Sequence, residues 1–325
     1  MLSKCRAYVL LVSLVCALGF VFTPVSAQSF DLLLGTEAPG TFSYFSGRVI
    51  CRLINQQVDG VTCRQITTDN GVYSLTNLHD GSLDISLVDS RTLLDAVTKT
   101  GPFKYLDIGY ENLRVLAPLY DMPVALVVRK DAGISSLDDL KGKRINAGTP
   151  QSQQYLAVET IMRAKNWTKD NFSLFGDLPP SSAQDDVKAF CYGTMQAMVF
   201  LTIHPDFSLR HLLKSCNADL LNVDDGDIKK VIDNDPALWE TTIAAGLYPT
   251  HSGPVSTFGR REILVVSADL DDETVSEIVA ALVKNRQHLI DAHTALSRFS
   301  LESMREGFSG GIELHPAVKK YLAEH

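Results

Sequence analysis

The segment VALVVRKDAGISSLDDLKGKRINAG, residues 124–148, contains three secondary-structure signals in close succession. Its apolar opening, residues 124–128, predicts a strand because aliphatic and β-branched residues run without a break. Two serines then precede residues 137–141, and serine before an acidic first turn is typical of a helix start. Residues 144–147 predict another strand. This order of strand, helix and strand indicates parallel strands connected by helices.

The same alternation extends over the rest of the chain. Further strands are predicted at residues 32–34, 83–88, 197–201 and 263–266, and further helices at residues 44–55, 152–166 and 271–288. The pattern predicts an α/β fold, with a mainly parallel sheet and helices on both of its faces. In such sheets, ligands bind beyond the carboxyl ends of the strands. Those ends fall at residues 35–37, 89–91, 149–152 and 202–204.

The first 27 residues have the organisation of a secretory signal peptide. Lys4 and Arg6 form a positive start, residues 8–22 are apolar, and Val25-Ser26-Ala27 offers the small residues that a signal peptidase recognises. The apolar run is shorter than the roughly 17–25 residues that span a bilayer. We therefore expect cleavage after Ala27 and a periplasmic location for the mature protein.

Charge and cysteine content restrict the classes of partner. The formal net charge of −8 argues against nucleic acid or an anionic membrane as the partner. Four cysteines follow the predicted cleavage site, and an even number in an exported protein favours disulfides. Pairing of sequence neighbours joins Cys51 with Cys63 and Cys191 with Cys216. Neither CxxC nor HExxH occurs, so no metal or other cofactor is expected.

Longer motifs along the chain carry a resemblance to a known family. They are RKDAGISSLDDLKGKRI (129–145), CRLIN (51–55) followed by Cys63, GPFKYLDIGYENLRVLAPLYDMP (101–123), NWTKDNF (166–172), His204-Pro205, AAGLYP (244–249), STFG (256–259), LVVSADLDDETVSEIVAAL (264–282) and ELHPAVKKYL (313–322). In this order the chain resembles the TAXI family, the extracytoplasmic receptors of one class of TRAP transporter. The resemblance also implies the cysteine pairing given above.

The resemblance implies the type II periplasmic binding protein fold, with two α/β lobes that are joined by crossing strands and close on a ligand. The crossings are expected near residues 119–124 and 248–257. Lobe one is then residues 28–118 plus 256–325, and lobe two is residues 119–255.

The loops that hold the ligand in the family differ in this chain. Where the family resembles G-T-G-G-x-T-G-x-Y-Y, residues 35–44 read GTEAPGTFSY, so Glu37, Ala38 and Thr41 replace three glycines. Glycines in such loops let backbone N–H groups approach an anion closely. The other loops, usually T-G-G-S-V, Q-S-D and P-G-S-G, read TDNGV (68–72), DSR (89–91) and PQSQ (150–153).

From the resemblance we expect a monomeric receptor that captures a small carboxylate or an amino acid, such as glutamate or 2-oxoglutarate. It would deliver this solute to a TRAP-type permease. N–H groups at the helix start near Ser152 would hold a carboxylate, and Arg91 would add a bidentate contact. The predicted ligand-binding residues are Thr36, Glu37, Tyr44, Asn70, Asp89, Ser90, Arg91, Ser152, Gln153, Gln154 and His204.

Several alternatives stay open at this point. Glu37, Asp69 and Asp89 make the predicted cleft acidic, which favours a ligand that carries an amine. A sensor or interaction protein with the receptor fold but without a transport role is a second alternative, because the loop glycines are missing. A lyase-type enzyme that uses Glu37 or Asp89 as acid or base is a third. Finally, Glu37 and Arg91 could pair with each other or point into solvent.

Overall fold

The computed structural model describes residues 30–150, 152–175 and 183–325. The predicted signal peptide and Gln151 lie outside these residues. The strands are β1 (Phe30–Thr36), β2 (Val61–Thr67), β3 (Ile85–Asp89), β4 (Leu113–Arg129), β5 (Arg144–Asn146), β6 (Leu174–Phe175), β7 (Ala197–Leu201), β8 (Ala218–Leu221), β9 (Trp239–Ile243) and β10 (Val255–Ser267).

The α-helices alternate with these strands and then form a C-terminal group. They are α1 (Phe42–Gln57), α2 (Gly71–His79), α3 (Ser90–Thr98), α4 (Gln153–Lys165), α5 (Ala183–Cys191), α6 (Phe207–Ser215), α7 (Gly226–Asp233), α8 (Asp272–Lys284), α9 (Arg286–Ala292), α10 (Leu301–Glu306) and α11 (Pro316–Glu324). Short 3-10 helices occupy Gly101–Phe103, Lys130–Ala132, Leu137–Leu140, Lys169–Asn171 and Thr294–Arg298.

The strands form one continuous sheet with two halves. The strand order is β2-β1-β3-β10-β4-β7-β5-β6, with β9 paired to β10 and β8 paired to β4. In the first half, β1 is parallel to β2 and β3. In the second half, β5 is parallel to β6 and β7. The antiparallel strands β4 and β10 lie between the halves, so the molecule has the two α/β lobes and crossing strands that the sequence predicted.

The two long strands cross from one half to the other next to each other. β4 pairs with β10 as far as Pro123, which lies opposite Gly259, and with β7 from Val124 onward. The strands approach closely here, since a Cβ on Gly259 would lie 2.5 Å from the Met122 carbonyl oxygen. The predicted crossing at residues 119–124 falls at this point. The predicted lobe boundaries, 118/119 and 255/256, fall inside β4 and β10.

Alternate residues of the crossing strand β4 enter the cores on opposite faces of the second half. Val124, Leu126 and Val128 pack into one buried apolar cluster, and Ala125 and Val127 pack into another. Each buried aliphatic side chain of this size stabilises the fold by about 1.5–3 kcal/mol. Because both faces are covered by helices, the strand is apolar without alternation from Val124 to Val128.

Two predicted helices differ from the observed elements. Residues 137–141 form only the 3-10 helix Leu137–Leu140, which ends before Gly142 at φ 73°. The helix predicted at 271–288 is divided into α8 and α9 at Asn285. The Asn285 side chain donates a hydrogen bond to the Ala281 carbonyl at 2.8 Å, and such a local bond competes with the helical pattern.

Two disulfides close loops in the described chain, with the predicted pairing. One joins Cys51 in α1 to Cys63 in β2, and the other joins Cys191 at the end of α5 to Cys216 after α6. Among the described residues, none of the helices has the length and apolarity that a bilayer span requires.

Candidate functional site

A cleft of about 500 Å³ lies where β4 and β10 cross between the two halves. The loop after β1, the start of α1 and the central strands line one side, and the loop after β7 and the start of α4 line the other. The side chains that define it are Glu37, Phe42, Phe45, Asp89, Tyr120, Met122 and Glu262 from the first half and Gln153, Leu201, Thr202, Ile203 and Asp206 from the second.

Glu262 lies inside the central strand β10 and faces the cleft. In the sheet register it is opposite Asp89 of β3 and Tyr120 of β4. Only 5% of the residue is exposed, and the Ser43 side chain is its hydrogen-bond partner. Burial raises the pKa of Glu262 well above its usual range, and the charges of Glu37 and Asp89 add to this effect.

Glu37 directly follows β1 and reaches the same space. Its backbone N–H donates to the Ser43 hydroxyl at 3.4 Å, which fixes the loop against the start of α1. The side chain is exposed to the water in the cleft, but the surrounding protein removes part of that water. This desolvation, together with the charge of Asp89, raises the pKa of Glu37.

Asp89 is compensated by a buried arginine. Arg260 of β10 is 3% exposed and its Nη1 lies 3.6 Å from the Asp89 carboxylate. Asp89 also caps α3, accepting from the Arg91 N–H at 2.9 Å. The Arg260 guanidinium donates in addition to Gln153 Oε1. Because Gln153 begins α4 in the second half, this bond connects the two halves beside the cleft.

Asp206 is also compensated, here by a helix start. It caps α6, with its carboxylate accepting from the Leu209 N–H at 2.7 Å and from the Thr202 hydroxyl at 3.1 Å. Its own N–H donates to the Tyr248 hydroxyl at 2.9 Å. A carboxylate at this position is stabilised by the helix dipole.

Aromatic rings form the apolar wall of the cleft. Phe42 meets Tyr120 edge to face, with ring centroids 4.7 Å apart, and stacks on Phe45 at 5.4 Å. His293 packs against the same Phe42 ring at 4.8 Å. Tyr120 is fully buried, which raises the pKa of its hydroxyl well above the usual value.

Of the predicted ligand-binding residues, the structure brings Glu37, Asp89 and Gln153 to this cleft. Thr36 and Ser90 are buried in the scaffold instead. The Thr36 hydroxyl accepts from Gln65 at 2.8 Å, and the Ser90 hydroxyl donates to the Ala237 carbonyl at 2.7 Å.

Asn70, Ser152, Tyr44 and Gln154 lie outside the cleft lining. Asn70 caps α2 by accepting from the Val72 N–H at 3.0 Å, and Ser152 caps α4 by accepting from the Tyr155 N–H at 3.1 Å. The Tyr44 carbonyl accepts from the Gln65 side chain at 2.9 Å. The bonds of Asn70 and Ser152 fix the positions at which α2 and α4 begin.

Arg91 lies in a second cavity and is paired there. Its guanidinium bonds to Asp235 and lies 3.7 Å from Asp95, so the pairing with Glu37 that the sequence left open does not form. Arg163 of α4 reaches the same Asp235 carboxylate at 3.2 Å and lines the same cavity. Asp235 therefore connects α3 of the first half with α4 of the second.

His204 is buried behind the cleft. Its Nδ1 lies 2.5 Å from the Tyr248 hydroxyl, and its Nε2 has no hydrogen-bond partner within the part of the chain that the structure describes. Burial lowers the pKa of His204 to about 4, so the imidazole is neutral. The preceding residue, Ile203, lines the cleft. His204 borders a different cavity, which Arg298 also lines.

The central residues Tyr120, Arg260 and Glu262 were not among those predicted from the sequence. One signal was present, because Arg260, Arg261 and Glu262 directly precede the apolar run of β10. Charged side chains inside a central strand are costly unless they serve a partner or a site. The rule that ligands bind beyond the ends of strands does not point to residues inside a strand.

The architecture, with a cleft between two α/β halves, is the two-lobed periplasmic binding protein fold. A TctC solute-binding protein from Polaromonas superposes with a TM-score of 0.57 at 16% identity, over 81% of this chain and 86% of that chain. The sulfonate-binding protein SsuA from Methylobacillus flagellatus superposes with a TM-score of 0.53 at 13% identity, over 85% of this chain and 73% of that chain. PhnD1 from Prochlorococcus marinus, in complex with methylphosphonate, superposes with a TM-score of 0.50 at 15% identity, over 92% of this chain and 97% of that chain.

The chain belongs to the NMT1-like family, which its sequence matches over residues 34–325. The first two of these solved structures are titled as solute-binding and sulfonate-binding proteins. Identities at this level show a common fold and leave the ligand open. The narrower TAXI assignment stays a prediction from the sequence motifs.

Proposed function

We propose that this protein is an extracytoplasmic receptor that captures a small solute between its two lobes and delivers it to a membrane transporter. The cleft carries the proposal, because both halves line it and its 500 Å³ lies within the usual range for small-molecule sites. The motifs of the TAXI family support a TRAP-type permease as the transporter. The two disulfides support an oxidising compartment such as the periplasm.

Closure of the lobes on the solute follows from how the halves are connected. Among the described strands, β4 and β10 alone join the two halves of the sheet, and polar contacts such as Arg260 with Gln153 bridge the halves beside the cleft. A hinge of two strands permits a rigid-body rotation of one lobe against the other. A solute that contacts both lobes would stabilise the closed form through its better contacts there.

The sequence-based proposal for the solute is a small carboxylate or an amino acid. Gln153 supports it, since this residue begins α4 at the cleft, and helix starts attract anions. The carboxyl groups of Glu37 and Glu262 oppose it, because they would lie next to a bound anion.

Ligand screening combined with small-angle scattering tests the receptor proposal. Mature protein would be heated in the presence of organic acids, amino acids and amines, and each solute that stabilises it would be examined for compaction. A solute at about 100 times its Kd should stabilise the fold by about 2.7 kcal/mol, and its binding should reduce the radius of gyration.

A variant that fills the cleft provides the control. Leu201→Trp places a large side chain in the cleft and should abolish stabilisation by the solute, whereas Tyr192→Trp on the exposed surface should not. Binding that survives Leu201→Trp unchanged, or a bound form without compaction, would contradict the proposal.

A further inference from the structure

We infer that the cleft takes a small organic cation, an amine or quaternary ammonium with an apolar body, whose positive nitrogen lies against Glu262 and Glu37. The inference rests on the proposed function and names the class of solute for the same site. It differs from the carboxylate that the family motifs suggest, and it is carried by the charges, burial and aromatic contacts of the cleft.

The cleft contains carboxyl groups without basic side chains. Glu37, Asp89, Asp206 and Glu262 line it, and no Lys, Arg or His is among its lining residues in the described ranges. The internal stretches outside those ranges, residue 151 and residues 176–182, contain no Lys, Arg or His in the sequence either. They therefore cannot supply the missing positive charge.

Two of the four carboxyl groups already have partners. Asp89 has the buried Arg260 at 3.6 Å, and Asp206 has the N–H groups at the start of α6. Glu37 and Glu262 remain. For neither of them does any Lys, Arg or His of the described chain come within ion-pair distance. The carboxyl groups of the cleft that lack a basic partner are thus those of Glu37 and Glu262.

The burial of Glu262 makes its ionised form costly without a positive partner. A carboxylate that is 5% exposed loses most of its hydration, and that loss is costly unless a partner of opposite charge replaces the water. The strands on both sides supply Asp89 and Tyr120, neither of which is positive. A bound cation would provide the partner that the protein itself does not provide.

The aromatic wall suits the same kind of ligand. Phe42, Phe45 and Tyr120 stand together at the cleft, and aromatic faces attract cations, quaternary ammonium groups in particular. Met122 and Ile203 offer apolar surface to the rest of the solute. The acidic and aromatic groups lie in one cavity, so a single amine with an apolar body can contact both.

An anion is the rival ligand, and it predicts the opposite pH dependence. Protonated Glu37 and Glu262 could donate hydrogen bonds to an anion, as neutral carboxylic acids do in other sites. Anion binding requires that the two glutamates keep their protons, so the affinity for an anion falls as pH rises. Cation binding releases these protons, so the affinity for a cation increases as pH rises. The other titratable groups around the two glutamates are Asp89, Asp206, Tyr120, Arg260 and His293.

Calorimetry on the mature protein with matched probes tests the inference. Choline would be compared with its uncharged carbon analogue dimethylbutanol, and simple alkylamines with 2-oxoglutarate and methylphosphonate, each up to tens of millimolar. We expect choline or an alkylamine to bind at least tenfold more tightly than the uncharged analogue. Its affinity should rise as the pH increases through the raised pKa of the two glutamates, because a bound cation favours their charged forms.

Glutamine variants locate the binding group. Glu262→Gln should weaken the cation probe at least tenfold, since it removes the buried partner charge, and Glu37→Gln should weaken it less. Glu277→Gln is the matched control, because Glu277 is exposed on α8 and lies outside the cleft. Equal loss in Glu277→Gln, or no loss in Glu262→Gln, would overturn the inference.

The remaining outcomes separate this inference from the receptor proposal. Binding of an anion with compaction of the lobes, but of no cation, would refute the cation and leave the receptor intact. Binding of cations and of the uncharged analogue with equal affinity would also refute it. A protein that binds none of the probes and does not compact would contradict both proposals.

Discussion

A methyl group at Gly259 should separate the crossing strands at the hinge. Gly259 of β10 lies opposite Pro123 of β4, at the position where β4 leaves the first half of the sheet. A Cβ there would lie 2.5 Å from the Met122 carbonyl oxygen and 2.9 Å from the Pro123 Cα. Both are backbone atoms, so no side-chain rotation relieves the clash. Overpacking of this kind costs about 1–3 kcal/mol.

Gly226→Ala is the matched control for Gly259→Ala. Gly226 begins α7, and a Cβ there would meet no atom within 4 Å. Neither glycine has a positive φ, so both substitutions restrict the unfolded chain equally. We expect Gly226→Ala to be neutral or to stabilise by about 0.4–1 kcal/mol. Thermal unfolding should show Gly259→Ala melting about 2–6 °C below the wild type.

The two variants together decide whether β4 and β10 are in tight contact at the hinge. If Gly259→Ala melts at the same temperature as Gly226→Ala, the strands can move apart at no cost, and the close crossing is refuted. If it is destabilised as expected, the affinity for a cleft ligand should fall as well, because the variant changes the angle at which the lobes meet.

Three further outcomes follow from buried and paired groups. Burial lowers the pKa of His204 to about 4 from 6.5, so its contribution is full above about pH 6.5 and is lost as pH falls toward 4. When the pH falls over this range, the free energy of unfolding of His204→Gln should therefore decrease by up to about 3 kcal/mol less than that of the wild type, as urea unfolding would measure. Replacing Cys191 and Cys216 together by Ser should lower the unfolding free energy by about 3 kcal/mol, since the disulfide spans 25 residues, which denaturation with and without reductant would check. Arg91→Ala should leave the affinity for a cleft ligand nearly unchanged while lowering stability, because Asp235 loses a partner; a loss of about tenfold in affinity would instead place Arg91 at the ligand.

The fold was predictable where local signals agree with the tertiary structure. The apolar run at 124–128 and Ser152 before α4 mark elements whose ends are fixed by their own residues. The full length of β4 was not predictable in this way. Pro118 and Pro123 interrupt its pattern, and a proline normally argues against a central strand because it lacks an N–H. Beside Pro118 the register of β10 shifts between Glu262 and Ile263, and at Pro123 the pairing of β4 with β10 ends and its pairing with β7 begins.

The site was less predictable because its members come from distant parts of the chain. Glu37 and Asp89 follow strands and were found by that rule, whereas Glu262 lies inside a strand and reaches them only through the register of β3, β10 and β4. The partner of Arg91 is equally remote, since Asp235 is 144 residues further along the chain. Sequence gives the residue types, and only the folded sheet shows which charges meet.

Arg260 connects the choice of solute with the movement of the lobes. Its buried guanidinium lies beside the cleft and already contacts two residues that line it, Asp89 in the first half and Gln153 in the second. An anionic solute would compete for this guanidinium and so weaken a contact that holds the halves together. A cationic solute would leave both contacts in place and add its own to Glu262. Closure and binding are therefore compatible for a cation, while for an anion each would oppose the other.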